Sequence, residues 1–512
     1  MKRAVFLGIA LLSVCVFLPL HCSAETPTKT PREVGINLSN IAFYTPEVVF
    51  VDVFKQSQPW SSQLPGKPYG QGGPLSIDAR GWIEKLNGNG HYAETLMFVD
   101  LDGHYFAGDY VCIFDGEGTI EFAQAAAVIE RKPGRLVVKV TPKNGPISLR
   151  LTKSDPKNPV RNIRLLLPGF EKTYQEQPFH PDFLKRWDGF QVIRFMDWGM
   201  TNNSKVSKWA ERSTPEQATQ GTEKGVALEH QIQLANALKA DPWFCIPHKA
   251  DDDYVREFTK LVKASLSKER KIYVEYSNEC WHPGFDGGRY CAERGKVLGL
   301  SINDDESQLR YYSQRSVEVF KLVEEALGGK ERLVCVLSTQ PSNAWAVGIV
   351  LDWNNAGKSV DAVAVAPYFG GIFGKPASVE KTLAMSVDQL LDACQKEIEA
   401  NSKHTQTIAK LVKDRGLKLL AYEGGQHLVG VEGAENNEKL MKLFHAANRD
   451  PRMKDLYLQD LRGWEEAGGG LYCVFGSMTR LSKWGSWGVL EFSDQDEKTA
   501  PKLQAIREFM RK

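Results

Sequence analysis

The chain has 512 residues, with 64 Lys and Arg against 63 Asp and Glu and a net charge of +1. So close a cancellation leaves no electrostatic footprint for nucleic acid or an anionic membrane surface. The length is ample for a large core, and an α/β barrel takes about 250 residues or more by itself.

The first residues read as an export signal. Lys2 and Arg3 supply a positive start, residues 4–20 are almost wholly apolar, and Cys22-Ser23-Ala24 offers a small-residue cleavage site. A retained span is the competitor, but it takes about 18 or more apolar residues. The run reaches that length only with Ser13 and Pro19 counted. Residues 1–24 are therefore expected to be a cleaved signal peptide, which makes the protein secreted or periplasmic. His21 is too bulky for the small residue that usually precedes a lipidated cysteine. Of the nine cysteines, Cys15 and Cys22 fall in this segment. An odd number remains, and Cys112, Cys245, Cys335 and Cys473 each lie in apolar runs, so buried free thiols are expected there. Whether Cys280 and Cys291 pair is left open.

Residues 25–74 read as a leader followed by a first strand at "GINLSNIAFY" from Gly35. Residues 75–168 change character. "ETLMFVDLDG", "DYVCIFDGEGTIEFA", "GRLVVKVTP" and "NIRLLLPG" are short β-rich runs divided by Gly, Asp, Asn and Pro, the pattern of an inserted all-β, sandwich-like module. Its Asp/Gly stretches lack the closing glutamate of a calcium loop and read as hairpin turns.

From 169 to 512 strand and helix patterns alternate. Strands are expected at 190–198, 241–248, 271–279, 332–339, 360–369, 417–425 and 470–476, with helices such as "QLRYYSQRSVEVFKLVEEALGG" between them. With the strand near Gly35 this makes eight. Continuous apolar strands alternating with helices imply parallel pairing with both faces buried. The fold class expected is α/β, a (β/α)8 TIM barrel carrying the β module after its first strand.

In such a barrel the active site is built from strand C-termini. Arg194 stands late in the second strand, followed by Asp197 and Trp198. His248 ends the third, Asn278 and Glu279 the fourth, Tyr368 the sixth and Glu423 the seventh, with Trp281 beyond the fourth and Trp484 and Trp487 beyond the eighth. Two glutamates at the ends of strands four and seven suit retaining glycoside hydrolysis, in which carboxyls about 5–5.5 Å apart act as acid/base and nucleophile. Glu279 is expected to hold its proton with a pKa raised by the charge on Glu423. Arg194 and the Tyr368 hydroxyl are expected to keep Glu423 ionised, and Asn278 to hydrogen-bond a sugar 2-hydroxyl. Trp198, Trp281, Trp484 and Trp487 offer flat faces for sugar rings.

"YVEYSNECW" and "LLAYEGG" resemble the fourth-strand and seventh-strand signatures of clan A glycoside hydrolases, the retaining barrel enzymes that include cellulase- and mannanase-like families. The order Arg, His, Asn-Glu, Tyr, Glu along strands two, three, four, six and seven is similar to that clan as well. The resemblance covers about 35–60 and 170–512 and leaves the β module outside. It implies Glu279 as acid/base, Glu423 as nucleophile, Arg194, His248, Asn278 and Tyr368 as supporting groups, and a β-linked polysaccharide or oligosaccharide as substrate. Two departures stand out. The sixth strand reads Ala366-Pro367-Tyr368 where a His often precedes Tyr by two, and the eighth ends in Phe475 where Trp is usual, with Trp484 or Trp487 as replacements.

Blander readings compete at several positions. His248 suits a neutral core histidine as well as a sugar contact, and Asp251–Asp253 suits an exposed helix start. A metal hydrolase would need a ligand cluster, and His248 with Asp251 and Asp253 is a thin one, so neither metal nor cofactor is expected. A non-catalytic glycan-binding barrel, and a transglycosylase using the same carboxylates, remain the alternatives.

Overall fold

The computed structural model describes Met1, residues 32–88 and residues 90–511, so the expected signal peptide lies, Met1 apart, outside the described residues. Eight parallel strands close into a barrel in chain order: Val34–Asn37, Val192–Arg194, Asp241–Ile246, Ile272–Tyr276, Leu333–Ser338, Ala362–Val365, Lys418–Ala421 and Tyr472–Phe475. The ring is sealed where Gly35 lies opposite both Val192 and Cys473. A Cβ on Gly35 would run into the Cys473 sulfur and the Val192 backbone, so the closing strand needs glycine there.

Successive side chains of each strand point to opposite faces. Outward, Ile193, Phe244, Val274 and Leu337 join the core shared with the helices. Inward, Val192, Trp243, Tyr273, Val336, Ala364, Leu420 and Cys473 fill the barrel itself. The same alternation turns Arg194 and Glu275 inward, where both are fully buried.

The helices end where local chemistry says they should. In Asp304–Leu327 the Asn303 side chain accepts from the Glu306 amide, three acids occupy the first turn, and Gly328 closes the helix in the left-handed conformation. Asp251 likewise caps Asp252–Ser265 by accepting from the Tyr254 amide, so the acidic run there is a helix start. Among the described residues no helix is long and apolar enough to cross a membrane.

Between the first two barrel strands lie two four-stranded antiparallel sheets. One orders Ser61–Gln63, Tyr92–Met97, Ile147–Ser154 and Gly118–Gln124; the other orders Arg161–Leu166, Gly108–Asp115, Arg135–Val140 and Ala126–Lys132. They share a core of their own around Trp82, Met97, Tyr110, Leu136, Leu149 and Ile163. Expected to begin at residue 75, the module already has a strand at Ser61–Gln63, paired with Tyr92–Met97. Three residues amid Gly and Pro are too few to show an alternation. Asp52 joins the chain that enters the module to the strand that leaves it, accepting from the Phe54 and Leu165 amides. The described cysteines, Cys280 and Cys291 included, are free thiols.

Candidate active site

Beyond Tyr276 the fourth strand breaks into a turn in which Ser277 and Glu279 both take left-handed backbone, at φ 59° and 42°. Each such residue costs roughly 1–3 kcal/mol and persists only where its surroundings over-determine it. Here the clamps are explicit. The Ser277 amide donates to Ile246 O at 2.8 Å, Tyr276 Oη to His248 O at 2.6 Å and Arg194 to Asn278 Oδ1 at 2.6 Å. Asn278 Nδ2 in turn donates to Asn202 Oδ1 at 2.8 Å. The turn brings Asn278 and Glu279 to the barrel mouth.

Beneath them Arg194 is the hub. Its guanidinium donates to Glu275 Oε2 at 2.8 Å, to Glu423 Oε2 at 3.2 Å and to Asn37 Oδ1 at 3.0 Å. Glu275 also accepts from the Trp243 indole at 2.9 Å and the Ser338 hydroxyl at 2.5 Å. Both oxygens of this interior carboxylate thus have a donor within reach, as burial of charge demands. Asn37 passes the network on to Tyr422 O at 2.9 Å. Next to Glu423, a Cβ on Gly424 would strike the Tyr472 hydroxyl, so only glycine lets the seventh strand pass.

A cleft of about 690 Å³ opens over this hub, lined among others by Asp197, Asn202, Asn278, Glu279, Trp281, Tyr368, Glu397, Glu423, His427, Phe475 and Trp487. One wall is aromatic. Tyr368 meets His427 edge to face at 5.3 Å and Trp487 at 6.0 Å, and Trp487 meets His427 at 4.9 Å and Phe475 at 5.6 Å. A second cavity of about 600 Å³, lined by Asp182, Asp188, Gln191 and Arg507, lies by the residues that precede the second strand, at the other end of the barrel.

Burial pushes Glu279 up to about 7, with Glu275 adding and the Tyr422 hydroxyl and Arg194 opposing. Burial, not the charge of Glu423, is the leading cause. Glu423 is also raised, by burial first and then by Glu279, against the pull of Arg194. When two such carboxyls hold one proton, the charge stays on the one bonded to a cation. That is Glu423, which bonds the guanidinium directly, while Glu279 accepts from a neutral hydroxyl. Burial also raises the Tyr368 hydroxyl, with the charges of Glu423 and Glu279 adding.

The structure brings Glu279, Glu423, Asn278, Trp281, Tyr368 and Trp487 into the cleft, and Arg194 directly beneath it. Three expected residues are elsewhere. Trp198 is fully buried, donates to Ser39 O at 3.1 Å and packs on Phe195, so its face is spent on the core. Trp484 is two-thirds exposed and does not line the cleft; its ring lies under the Lys483 ammonium and its carbonyl accepts from the Trp487 indole. His248 is buried against Tyr290, and burial pushes it down to about 4, which makes it the neutral core histidine.

Sequence reasoning missed Glu275, Asn37, Tyr422 and His427. Period-two alternation was the signal for the first: Tyr273 points inward, so Glu275 must as well. His427 stands beside Tyr368 where the sixth strand lacks its own histidine, and Phe475 with Trp487 occupies the eighth-strand position. Among the described residues no group of three or more His, Cys, Asp or Glu is placed to hold a metal ion.

No family model matches this sequence, and no curated protein matches it. Solved structures similar to it include a β-glucosidase from Thermotoga maritima bound to castanospermine, at 13% identity and TM-score 0.35 over 64% of this chain and 84% of that one. An endo-β-1,4-mannanase from Thermotoga petrophila shows 13% and 0.33 over 64% and 72%. A Bacteroides ovatus xyloglucanase shows 8% and 0.35 over 79% and 96%. Likenesses this loose bear no weight on function. The barrel is seen in this chain's own strand pairing, and the site in its own side chains.

Proposed function

We propose that this protein is a retaining glycoside hydrolase acting on a β-linked polysaccharide or oligosaccharide. The observation that carries the reading is the unequal bonding of two carboxyls that burial raises alike: Glu279 accepts from the neutral Tyr422 hydroxyl and Glu423 from the Arg194 cation, in one cleft walled by aromatic rings. The pair supplies a proton and a nucleophile at neutral pH, the requirement of double displacement.

Glu423 attacks the anomeric carbon while Glu279 gives its proton to the departing glycosidic oxygen. A glycosyl ester forms on Glu423. Glu279, now ionised, takes a proton from water, which attacks the same carbon and frees Glu423. Arg194 holds the charge of Glu423 before the attack and again once the ester is cleaved. The aromatic wall receives the apolar C–H face of the sugar. The N-terminal segment 1–24 supports a secreted or periplasmic location for the enzyme.

Mechanism-based labelling tests the reading. The purified protein is incubated with a panel of 2-deoxy-2-fluoro glycosides and the adduct is located by peptide mass. A label on the Glu423 peptide, absent in Glu423→Gln, is the expected result. A label on a different carboxylate sinks the assignment.

A further inference from the structure

Among the described residues four carboxyls line the cleft: Asp197, Glu279, Glu397 and Glu423. Three are engaged by the protein. Glu279 accepts from Tyr422 at 2.8 Å, Glu423 from Arg194 at 3.2 Å and Glu397 from the Gly370 amide at 2.9 Å. Asp197 makes no side-chain hydrogen bond or ion pair among the described residues, although it is half-buried. Its oxygens are not among the sealed, unpartnered polar atoms of the described residues, so they face the cleft, where the donors of a ligand can take the place of water.

The surroundings of Asp197 specify the donors. Asn202, which follows the second strand as Asp197 does, and Asn278 line the same cleft and are bonded to each other. Asn278 keeps one N–H free, since Arg194 and Asn202 take its oxygen and its other hydrogen. This polar corner follows the second and fourth strands. The aromatic wall, anchored by Tyr368, follows the sixth, four strands around the eight-stranded ring from the second. A ring held between them presents an apolar face to the rings and a hydroxyl edge to the corner.

Charge narrows the class further. The Arg194 cation is shared between Glu275 and Glu423, and Lys375, the one lysine lining the cleft among the described residues, lies within the field of Glu397. Asp197 and Glu423 therefore leave the sugar site negative, and a carboxylate on the substrate would be repelled there.

We infer that Asp197 is the specificity-determining acceptor of this cleft, taking the hydroxyls of a sugar ring without a carboxylate and turning uronic acids away. The inference rests on the glycoside hydrolase reading for the ligand being a glycan, and it goes beyond it in naming the residue and the substrate class. Asp197 touches a sugar edge and neither gives a proton nor attacks; its charge reaches Glu423 only through space, behind burial and Glu279.

The test is binding without turnover. Glu279→Gln and the double variant Glu279→Gln/Asp197→Asn are titrated calorimetrically with cello-, manno- and xylo-oligosaccharides and with oligogalacturonides. A neutral oligosaccharide is expected to bind about tenfold or more weakly once Asp197 is changed, the loss of a charge-assisted hydrogen bond. In the otherwise native enzyme, Asp197→Asn raises KM by a similar factor with kcat within about threefold. Its melting temperature stays at or above wild type, since no hydrogen-bond partner is lost and relief of the buried charge outweighs the through-space pull of Arg194; Asp197→Ser repeats the comparison with a smaller side chain. Equal affinity with and without Asp197, tighter binding of the oligogalacturonide, or a fall in melting temperature each overturns the inference. Neutral sugars that bind through Asp197 but are neither cleaved nor labelled end the hydrolase reading and leave this one standing. Cleavage indifferent to Asp197 does the reverse, and a panel that binds nothing ends both.

Discussion

The hydroxyl of Tyr422 donates to Oε1 of Glu279 at 2.8 Å, so the residue before one carboxylate holds the other in place. The bond spans 143 positions of sequence and favours the ionised form of Glu279. It opposes the burial that keeps the proton on, and so trims an acid that burial alone would leave too weak.

Removing that bond moves the pH profile in a known direction. Tyr422→Phe takes away a donor to the carboxylate, so the Glu279 pKa rises from about 7. The alkaline limb of the kcat/KM profile is expected to shift upward, because the acid stays protonated to higher pH. An unmoved limb would mean that Glu279 is not the acid reported by that limb.

Glu275 is expected to matter for stability more than any residue of the cleft wall. Glu275→Ala leaves the fully buried Arg194 with Glu423 as its remaining carboxylate partner and frees the donors of Trp243 and Ser338. Breaking one side of a buried pair costs about 3–5 kcal/mol. Urea unfolding of the variant measures it, and Glu275→Gln, which keeps an acceptor, should lose less.

Lys502 gives stability a pH slope. It is buried, donates to Ser486 O at 2.6 Å and Asn448 Oδ1 at 3.0 Å, and burial pushes it down from 10.5 to about 7. Between those values the unfolded chain holds a proton that the fold does not. Stability contributed by this site therefore rises with pH from about 7 toward 10.5, by up to about 1.4 kcal/mol per unit, and is flat below 7. The difference in unfolding free energy between wild type and Lys502→Met, followed across pH 7–10, should show that slope. Ser486 precedes Trp487, so the same variant should also loosen the aromatic wall and raise KM.

The tryptophans separate by position. Trp487→Ala is expected to raise KM with little change in melting temperature, whereas Trp484→Ala, at the exposed loop, should change neither. Trp198→Ala should cost about 3–5 kcal/mol of stability as a core truncation. Paired melting curves and kinetics on the three variants check all of these together.

All eight barrel strands were legible because each is a short run bounded by turn residues and, apart from a few polar residues such as Arg194 and Glu275, apolar, as burial on both faces requires. Helices with a clear apolar stripe were legible too, Asp304–Leu327 among them. The longest, Val387–Lys413, was not read from the sequence, although Ser386 and Gln389 form a capping box at its start. Its polar and charged residues outweigh the stripe of Leu390, Leu391, Cys394 and Ile398 that it buries. The two cleft glutamates were legible because a strand end in a parallel barrel faces one way only.

What the sequence determined by itself, then, was the alternation that makes a barrel and the chemistry carried to its C-terminal rim: Glu279 after the fourth strand and Glu423 after the seventh. Period and strand direction are local properties, written within a few residues. Tertiary structure alone decided which groups meet. Arg194 and Glu275 bond across 81 positions, Asn37 joins them from the first strand, and Tyr422 reaches Glu279. It also decided that Trp487 lines the cleft while Trp198 is sealed in the core and Trp484 stands in solvent. A side chain's composition is the same in all three places. Only the path of the loop that carries it, fixed by packing against distant segments, determines whether a ligand can reach it.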